Sequence, residues 1–444
     1  MRYVALELED VILVMGLLEP SRFLEEWLSE IEAVKRRYGG NVVYEVAPRD
    51  VPGVDDVVRA VVEAVRDPIG SRPLREIAKP GMNVVVVVDD ITRATPRDRI
   101  VPVLLNELNY AGIPDSRIKV VIALGTHRYL TKEEIVKCVG LNVVRRVEVF
   151  NHEWMDSGKL VYVGDTASGI PVYVNKLVYE ADLVIGVGCI VPHLCSGYGG
   201  GAKIIQPGVC GEVTTARTHV LAALIGPERL LGDPDNVVRR EMEDVAEVVG
   251  LDFIVNVVLN RGGEVVKVVA GDMRAAFREG VKVAEGIYRR GIPELADIVI
   301  VNSYPALIDY WQAMKGLVHA QFGVRHGGIV ILYTDCPDGI SPTHHKVFEK
   351  YSERGIEEVE RVLREGREED LVGLSGLFMH KRCLARSKCI CVSKRLSIEE
   401  KRILGFKHAD GVLEALQTSI AEHGLDAKVG IIHHGGEVYP YLMS

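Results

Sequence analysis

No run of basic residues occurs in this chain, and no apolar stretch in it is long enough to span a membrane. Acidic residues outnumber basic ones, 62 to 53, for a formal charge of −9. That balance argues against a nucleic-acid partner, whose phosphates need a compensating positive face, but still admits a small anionic ligand held by a local field. The N-terminus, MRYVALELEDVILVMGLLEP, has an acidic segment before a short apolar run. A secretory signal would be basic there, so the expectation is a soluble cytoplasmic protein with no membrane partner. Glutamine is scarce, with only 4 residues, while Val, Glu and Arg are plentiful, which leans towards a thermophilic source. The 8 cysteines are too scattered for a disulfide framework, and the cluster Cys383, Cys389, Cys391 lacks a common zinc spacing. No strand is followed by a G-x-G-x-x-G turn, which disfavours a nicotinamide-dependent dehydrogenase.

What is present is a chain of 444 residues, enough for two or three domains, with an ordinary globular composition of 48% hydrophobic and 26% charged residues. β-Branched runs at 83–90, 118–127, 181–193, 296–305 and 327–339 read as buried parallel strands. Amphipathic segments such as 97–112, closed by a glycine, lie between them. Segments 143–153 and 159–176 read as strands, joined by a turn at Ala167–Gly169. Strand–helix alternation predicts two α/β domains with largely parallel sheets and a site in the cleft between them. A turn at 289–295 marks the boundary: residues 1–288 form the first domain, with 425–444 returning to it, and 289–424 the second.

In open α/β sheets ligands sit beyond the carboxyl ends of the strands. Three strands deliver polar groups there: Asp89, Asp90 and Arg93 in DDITRATP, His127 in GTHR, and His193 in VPH before the loop SGYGGGAKIIQPG. That loop, with Gly199, Gly200 and Gly201 ahead of Lys203, resembles a nucleotide loop. It lacks the Gly before the lysine and the Ser or Thr after it that bind a nucleoside triphosphate and its Mg²⁺. Singly, each feature has a plain explanation: a capping aspartate pair, a solvated histidine, a glycine loop that turns tightly into a helix. Together, an acid, a guanidinium, imidazoles and a lysine at neighbouring strand ends point to chemistry. Paired imidazoles suit two-sided proton handling near neutrality, and an amine can hold a cofactor covalently.

These residues carry a family resemblance. DDITRATP, GTHR, NHEW (151–154), VPHLCSGYGGGAKIIQPG, the TH at 218–219 and WQAMKG (311–316) are similar, in order and spacing, to the nickel-dependent lactate racemase family of 2-hydroxyacid racemases and epimerases. The resemblance implies a nickel-pincer nucleotide (pyridinium-3-thioamide-5-thiocarboxylic acid mononucleotide nickel) joined to Lys203, with Gly199–Gly201 beside it and His219 as the nickel ligand. It implies His127 and His193 as the acid–base pair, and Arg93, Gln312 and Lys315 around the substrate's anionic end, with Asp90 orienting one of these groups. The implied mechanism is proton-coupled hydride transfer through a 2-oxoacid, and the implied partners are a 2-hydroxyacid and the enzymes that build the cofactor. Lactate-specific members have a tyrosine before the glutamine, whereas Trp311 stands here. An indole changes the pocket volume and offers only an N–H donor, which argues for another 2-hydroxyacid at least as much as for lactate. Rival readings are a pyridoxal-phosphate enzyme with Lys203 as Schiff base, and a non-catalytic nucleotide- or hydroxyacid-binding protein. The pairs His344-His345 and His433-His434 read as surface or structural, and 349–371 as a solvated charged helix.

Overall fold

The structure, a computed structural model, describes residues 20–443; the acidic and apolar segments at the N-terminus lie outside the described residues. The described chain opens with helix α1 (Pro20–Tyr38) and strand β1 (Val42–Val46). Next come β2 (Val84–Asp89), β3 (Ile118–Ala123), β4 (Glu148–Asn151), β5 (Leu183–Cys189), β6 (Leu251–Leu259) and β7 (Val265–Gly271). These last six form one sheet in the order β7-β6-β5-β2-β3-β4, parallel except for the β6–β7 pair. Val84 to Val88 are all buried, as expected for a central strand covered by helices on both faces. Helix α2 (Arg97–Tyr110) makes the crossover from β2 to β3.

The second sheet is wholly parallel and joins β1 to β8 (Ala296–Asn302), β9 (Val324–Tyr333), β10 (Lys388–Val392), β11 (Lys407–His408) and β12 (Val429–Ile432). Its order is β1-β12-β8-β9-β10-β11. The protein is therefore an α/β protein with two largely parallel sheets.

The strand at 429–432 departs from expectation, because β12 sits between β1 and β8 in the second sheet rather than returning to the first. The start of the chain joins it there. Phe23, Trp27, Ile31 and Val34 recur at helical spacing and bury one face of α1 against Ile298, Ile300, Ile329 and Ile331. Only Tyr439–Leu442 turns back, pairing with Arg289–Ile292 at the junction. Two smaller departures are local. Leu141–Arg146 is helical, not extended, and 349–371 is broken into His345–Tyr351 and Ile356–Glu365 around Gly355. The hairpin Leu160–Asp165 with Pro171–Asn175 forms as read, and all 8 cysteines are free and buried. Among the described residues no helix is long and apolar enough to cross a membrane.

Candidate active site

In the first sheet the chain runs outward from β2 to β3 and β4, then returns to the other side of β2 as β5. The crevice at this reversal, beyond the carboxyl ends of β2 and β5, is where an open sheet leaves room for a ligand. Register makes the ends level: Asp89 pairs with Ala123, and Val88 with Val187. A cleft opens there. Asp90, Arg93, His127, His193, Gly199, Gly200, Lys203 and His219 line it from the first sheet's side, and Trp311, Gln312 and Lys315 from helix α5 (Tyr310–Ala320) of the second. Of the glycines of the loop singled out in the sequence, Gly201 alone is absent from the cleft lining. Its N–H donates to Asn256 Oδ1 at 2.7 Å and its φ is +58°.

The loop after β2 braces itself. Asp89 accepts from Arg97 at 2.7 Å, from the Thr95 hydroxyl at 2.6 Å and from Cys189 N at 3.2 Å, tying β2 to β5. Arg97 also donates to the carbonyls of Cys138, Asp90 and Arg93. Asp90 is thereby left to face the cleft, where its Oδ2 meets His127 Nδ1 at 2.7 Å. Burial opposes its charge, but His127, Thr92 and Arg93 outweigh burial and hold its carboxyl well below the usual carboxylate range. A carboxylate at Nδ1 fixes the proton there and leaves Nε2 as an acceptor. Nε2 accepts from Gln312 Nε2 at 3.1 Å, and Gln312 Oε1 accepts from Lys315 Nζ at 2.6 Å. One polar chain, Asp90–His127–Gln312–Lys315, thus bridges the two sheets' elements. Trp154 of NHEW donates to the His127 carbonyl at 3.0 Å. His152 of the same motif is buried away from the cleft between Cys210 O and Asn175.

His193 is set differently. Its Nδ1 accepts from Cys195 N at 3.2 Å, so a neutral ring carries its proton on Nε2. Burial, then Lys203, Lys315, Arg93 and His219, push its pKa well below the ordinary histidine value. Lys203 lies in the 3-10 turn Gly201–Ile204 and forms no ion pair among the described residues. Burial, followed by the charge of Arg93, lowers its amine to about 7, so the neutral nucleophile is well populated near neutrality. Lys315 is likewise lowered, chiefly by burial and then by Arg93 and Lys203.

The glycine loop is shaped by packing as well as by the cleft. A Cβ on Gly200 would meet Ile190 Cγ1 at 2.7 Å and Asn256 Oδ1 at 2.9 Å, and its φ is +78°. Arg239 on helix α4 (Val237–Val249) is buried and donates to the carbonyls of Ser196, Tyr198 and Gly200, holding the loop from behind. Nothing in the sequence marks it, since it sits among charged residues that read as a solvated helix face.

His219, on helix α3 (Glu212–Ile225), donates from Nδ1 to Thr215 O at 2.8 Å. Its Nε2 is therefore unprotonated in the neutral ring, and the residue lines the cleft with Lys203, the arrangement that a carbonyl behind a metal-ligating imidazole produces. Among the described residues no group of three or more His, Cys, Asp or Glu is arranged to hold a metal. A metal here fits a chelating group that brings its own donors and takes one more from His219. Trp311 is accommodated by Gly376 of helix α6 (Leu371–Arg386), where any side chain would strike the indole, and by the His344 ring at 4.4 Å.

Comparison with known proteins agrees with this geometry. Residues 38–231 match the lactate racemase N-terminal domain and residues 293–439 the lactate racemase C-terminal domain. A lactate racemase from Lactiplantibacillus plantarum is 33% identical over 283 residues, which span 63% of this chain and 66% of that relative. One from Thermoanaerobacterium thermosaccharolyticum is 27% identical over 411 residues, 92% of this chain and 94% of the relative. The lactate racemase apoprotein structure from that organism superposes with a TM-score of 0.79 at 26% identity, covering 90% of this chain and 99% of the other. A protein from Thermotoga maritima shares the fold, with a TM-score of 0.69 at 20% identity over 90% of this chain and all of the other. The chain belongs to the lactate racemase family.

Proposed function

We propose that the protein is a 2-hydroxyacid racemase or epimerase whose cleft takes a nickel-pincer nucleotide on Lys203. One observation carries the reading: a low-pKa amine and an imidazole with its Nε2 free share a cleft with two more imidazoles of unlike hydrogen bonding. When bound, such a group supplies the acceptor and donor for the hydride of the substrate's α-carbon. The remaining steps belong to the protein. Arg93 and Lys315 offset the substrate carboxylate. His127, freed from Gln312, takes the hydroxyl proton at Nε2, and Asp90 stabilises the imidazolium that forms.

His193 returns a proton to the oxygen of the 2-oxoacid from its Nε2. For that it must first become cationic, which burial and then Lys203, Lys315, Arg93 and His219 oppose in the free protein. If Lys203 held the group through an amide-type link formed with loss of water, its nitrogen would be neutral, and a bound carboxylate would offset Arg93 and Lys315. Both changes favour the imidazolium, so proton return at His193 is tied to a loaded and occupied site. A pyridoxal-phosphate enzyme would use Lys203 but give His219 no work.

The test is intact-mass analysis of protein made together with the cofactor-building enzymes and nickel. An adduct on Lys203 is expected, and Lys203→Ala should lose both the adduct and all exchange between enantiomers without added NAD. Fully active protein with unmodified Lys203 would overturn the tether. A panel of 2-hydroxyacids with no stereochemical change would overturn the reaction.

A further inference from the structure

The histidine pair at 344–345 divides in the structure. His345 reaches solvent beside Glu349, whereas His344 is 3% exposed and is packed against Trp311, a residue of the cleft lining that His344 itself does not join. Its Nδ1 meets both oxygens of Asp370, at 2.9 and 3.0 Å, and its backbone N–H donates to Ser341 Oγ at 3.2 Å. Asp370 is fixed in turn, because it caps α6 by accepting from Gly373 N at 2.7 Å. A second aspartate–imidazole pair therefore stands beside the cleft, bonded like Asp90–His127 but set against an indole.

Helix α6 is cut away to receive this group. A Cβ on Gly373 would collide with the Asp370 carboxylate, and one on Gly376 with the Trp311 indole. The two glycines stand three residues apart on one face of the helix, where each is a poorer helix former than alanine. The indole is clasped between the bare face at Gly376 and the His344 ring, whose centroid lies 4.4 Å from its own at an interplanar angle of 39°. A hydrocarbon ring would serve better for packing alone, because His344 Nε2 is buried without a hydrogen-bond partner. What the imidazole adds is direction. Gripped at Nδ1 by a carboxylate that is itself held, the ring has its plane set, and the indole rests on that plane. Trp311 directly precedes Gln312, whose amide engages His127 Nε2, so the clasp lies next to the base.

We propose that the Asp370–His344 pair is a positioning device that fixes the orientation of Trp311, and through it the wall against which the substrate lies. That a substrate lies there rests on the 2-hydroxyacid reading above; the seating of the indole does not. Full-length protein made with 5-fluorotryptophan gives one ¹⁹F signal for each of its 3 tryptophans, and Trp311→Phe identifies one of them. His344→Ala is expected to shift or split the Trp311 signal and to leave those of Trp27 and Trp154 in place. His344→Phe fills the same space without the grip of Asp370, so it should move the signal even if the alanine variant fails to fold. Asp370→Asn keeps an acceptor for both Nδ1 and Gly373 N and should leave the signal unmoved. In loaded enzyme, His344→Phe should raise KM by ~10-fold with kcat within about twofold, the mark of lost uniform binding, for whichever of lactate, phenyllactate and gluconate is turned over fastest. A Trp311 signal unmoved by His344→Phe overturns the proposal, as does one moved equally by Asp370→Asn, or a KM unchanged where the signal moves. If no acid changes configuration, the racemase reading has failed, and the ¹⁹F signals of the same variants still decide whether the pair seats the indole.

Discussion

The two sheets of this protein each reverse direction once, and each reversal makes a crevice beyond the strand ends; one crevice is open and the other is plugged. Between β2 and β5 the polar groups point into a cleft, with Lys203 unpaired by any carboxylate and His219 Nε2 free. Between β8 and β12 the chain's own turn fills the gap. Gly435 N donates to Asn302 O, Gly436 N to Tyr304 O and His434 N to Asn302 Oδ1. Any side chain on Gly435 or Gly436 would collide with Val301 or Ser303. Ser303 and Thr334 there bond to each other at 2.7 Å, and His434 packs edge-on against Tyr304 with neither ring nitrogen partnered. Fold topology offers two candidate sites, and what separates them is whether the chain's own turn already fills the space.

Substitutions that break this contrast should act on turnover at one crevice and on stability at the other. His127→Ala should lower turnover by ~10²–10⁴-fold, measured as the rate of C2 exchange in loaded protein. Asp90→Asn, which keeps the shape but removes the charge that fixes the Nδ1 proton, should cost roughly 10²-fold, with a shifted pH profile. At the plugged crevice the expected effect is on folding. Burial lowers His434 to about 4, whereas the unfolded chain titrates near the ordinary value, roughly 6.5. The unfolded state binds the proton first, so stability present above that value is lost as pH falls towards 4, by at most roughly 3 kcal/mol from this residue. His434→Leu should flatten that acid limb in denaturant titrations at pH 7 and pH 4.5; an unchanged limb would mean that the ring is accessible. Smallest of all, Ser303→Ala should cost about 1 kcal/mol and leave turnover within about twofold.

Much of the open crevice was legible because its residues are chemically marked and stand at the ends of β-branched runs. Asp90, His127 and His193 each follow such a run directly, and parallel pairing makes neighbours of ends that are far apart in sequence. The residues that brace the site were not legible. Arg97 and Arg239 turn inward to donate to backbone carbonyls, a choice set by tertiary packing and invisible in the charge pattern of a helix. A short apolar strand such as β12 carries no mark of its sheet; the decision lies with β1, whose short run VVYEV is interrupted by Glu45. β6 and β7 are hidden for a related reason, since their antiparallel pairing is set by a turn and not by periodicity.

The pairing of β1 with β12 has a consequence for anyone who cuts this molecule. Severing the polypeptide near residue 289 would not yield two self-sufficient halves. The front half would carry α1 with Phe23, Trp27, Ile31 and Val34 stripped of their cover, and the rear half would show β12 as a raw edge. The protein is fastened like a belt, with α1 and β1 held against β12 and the second sheet.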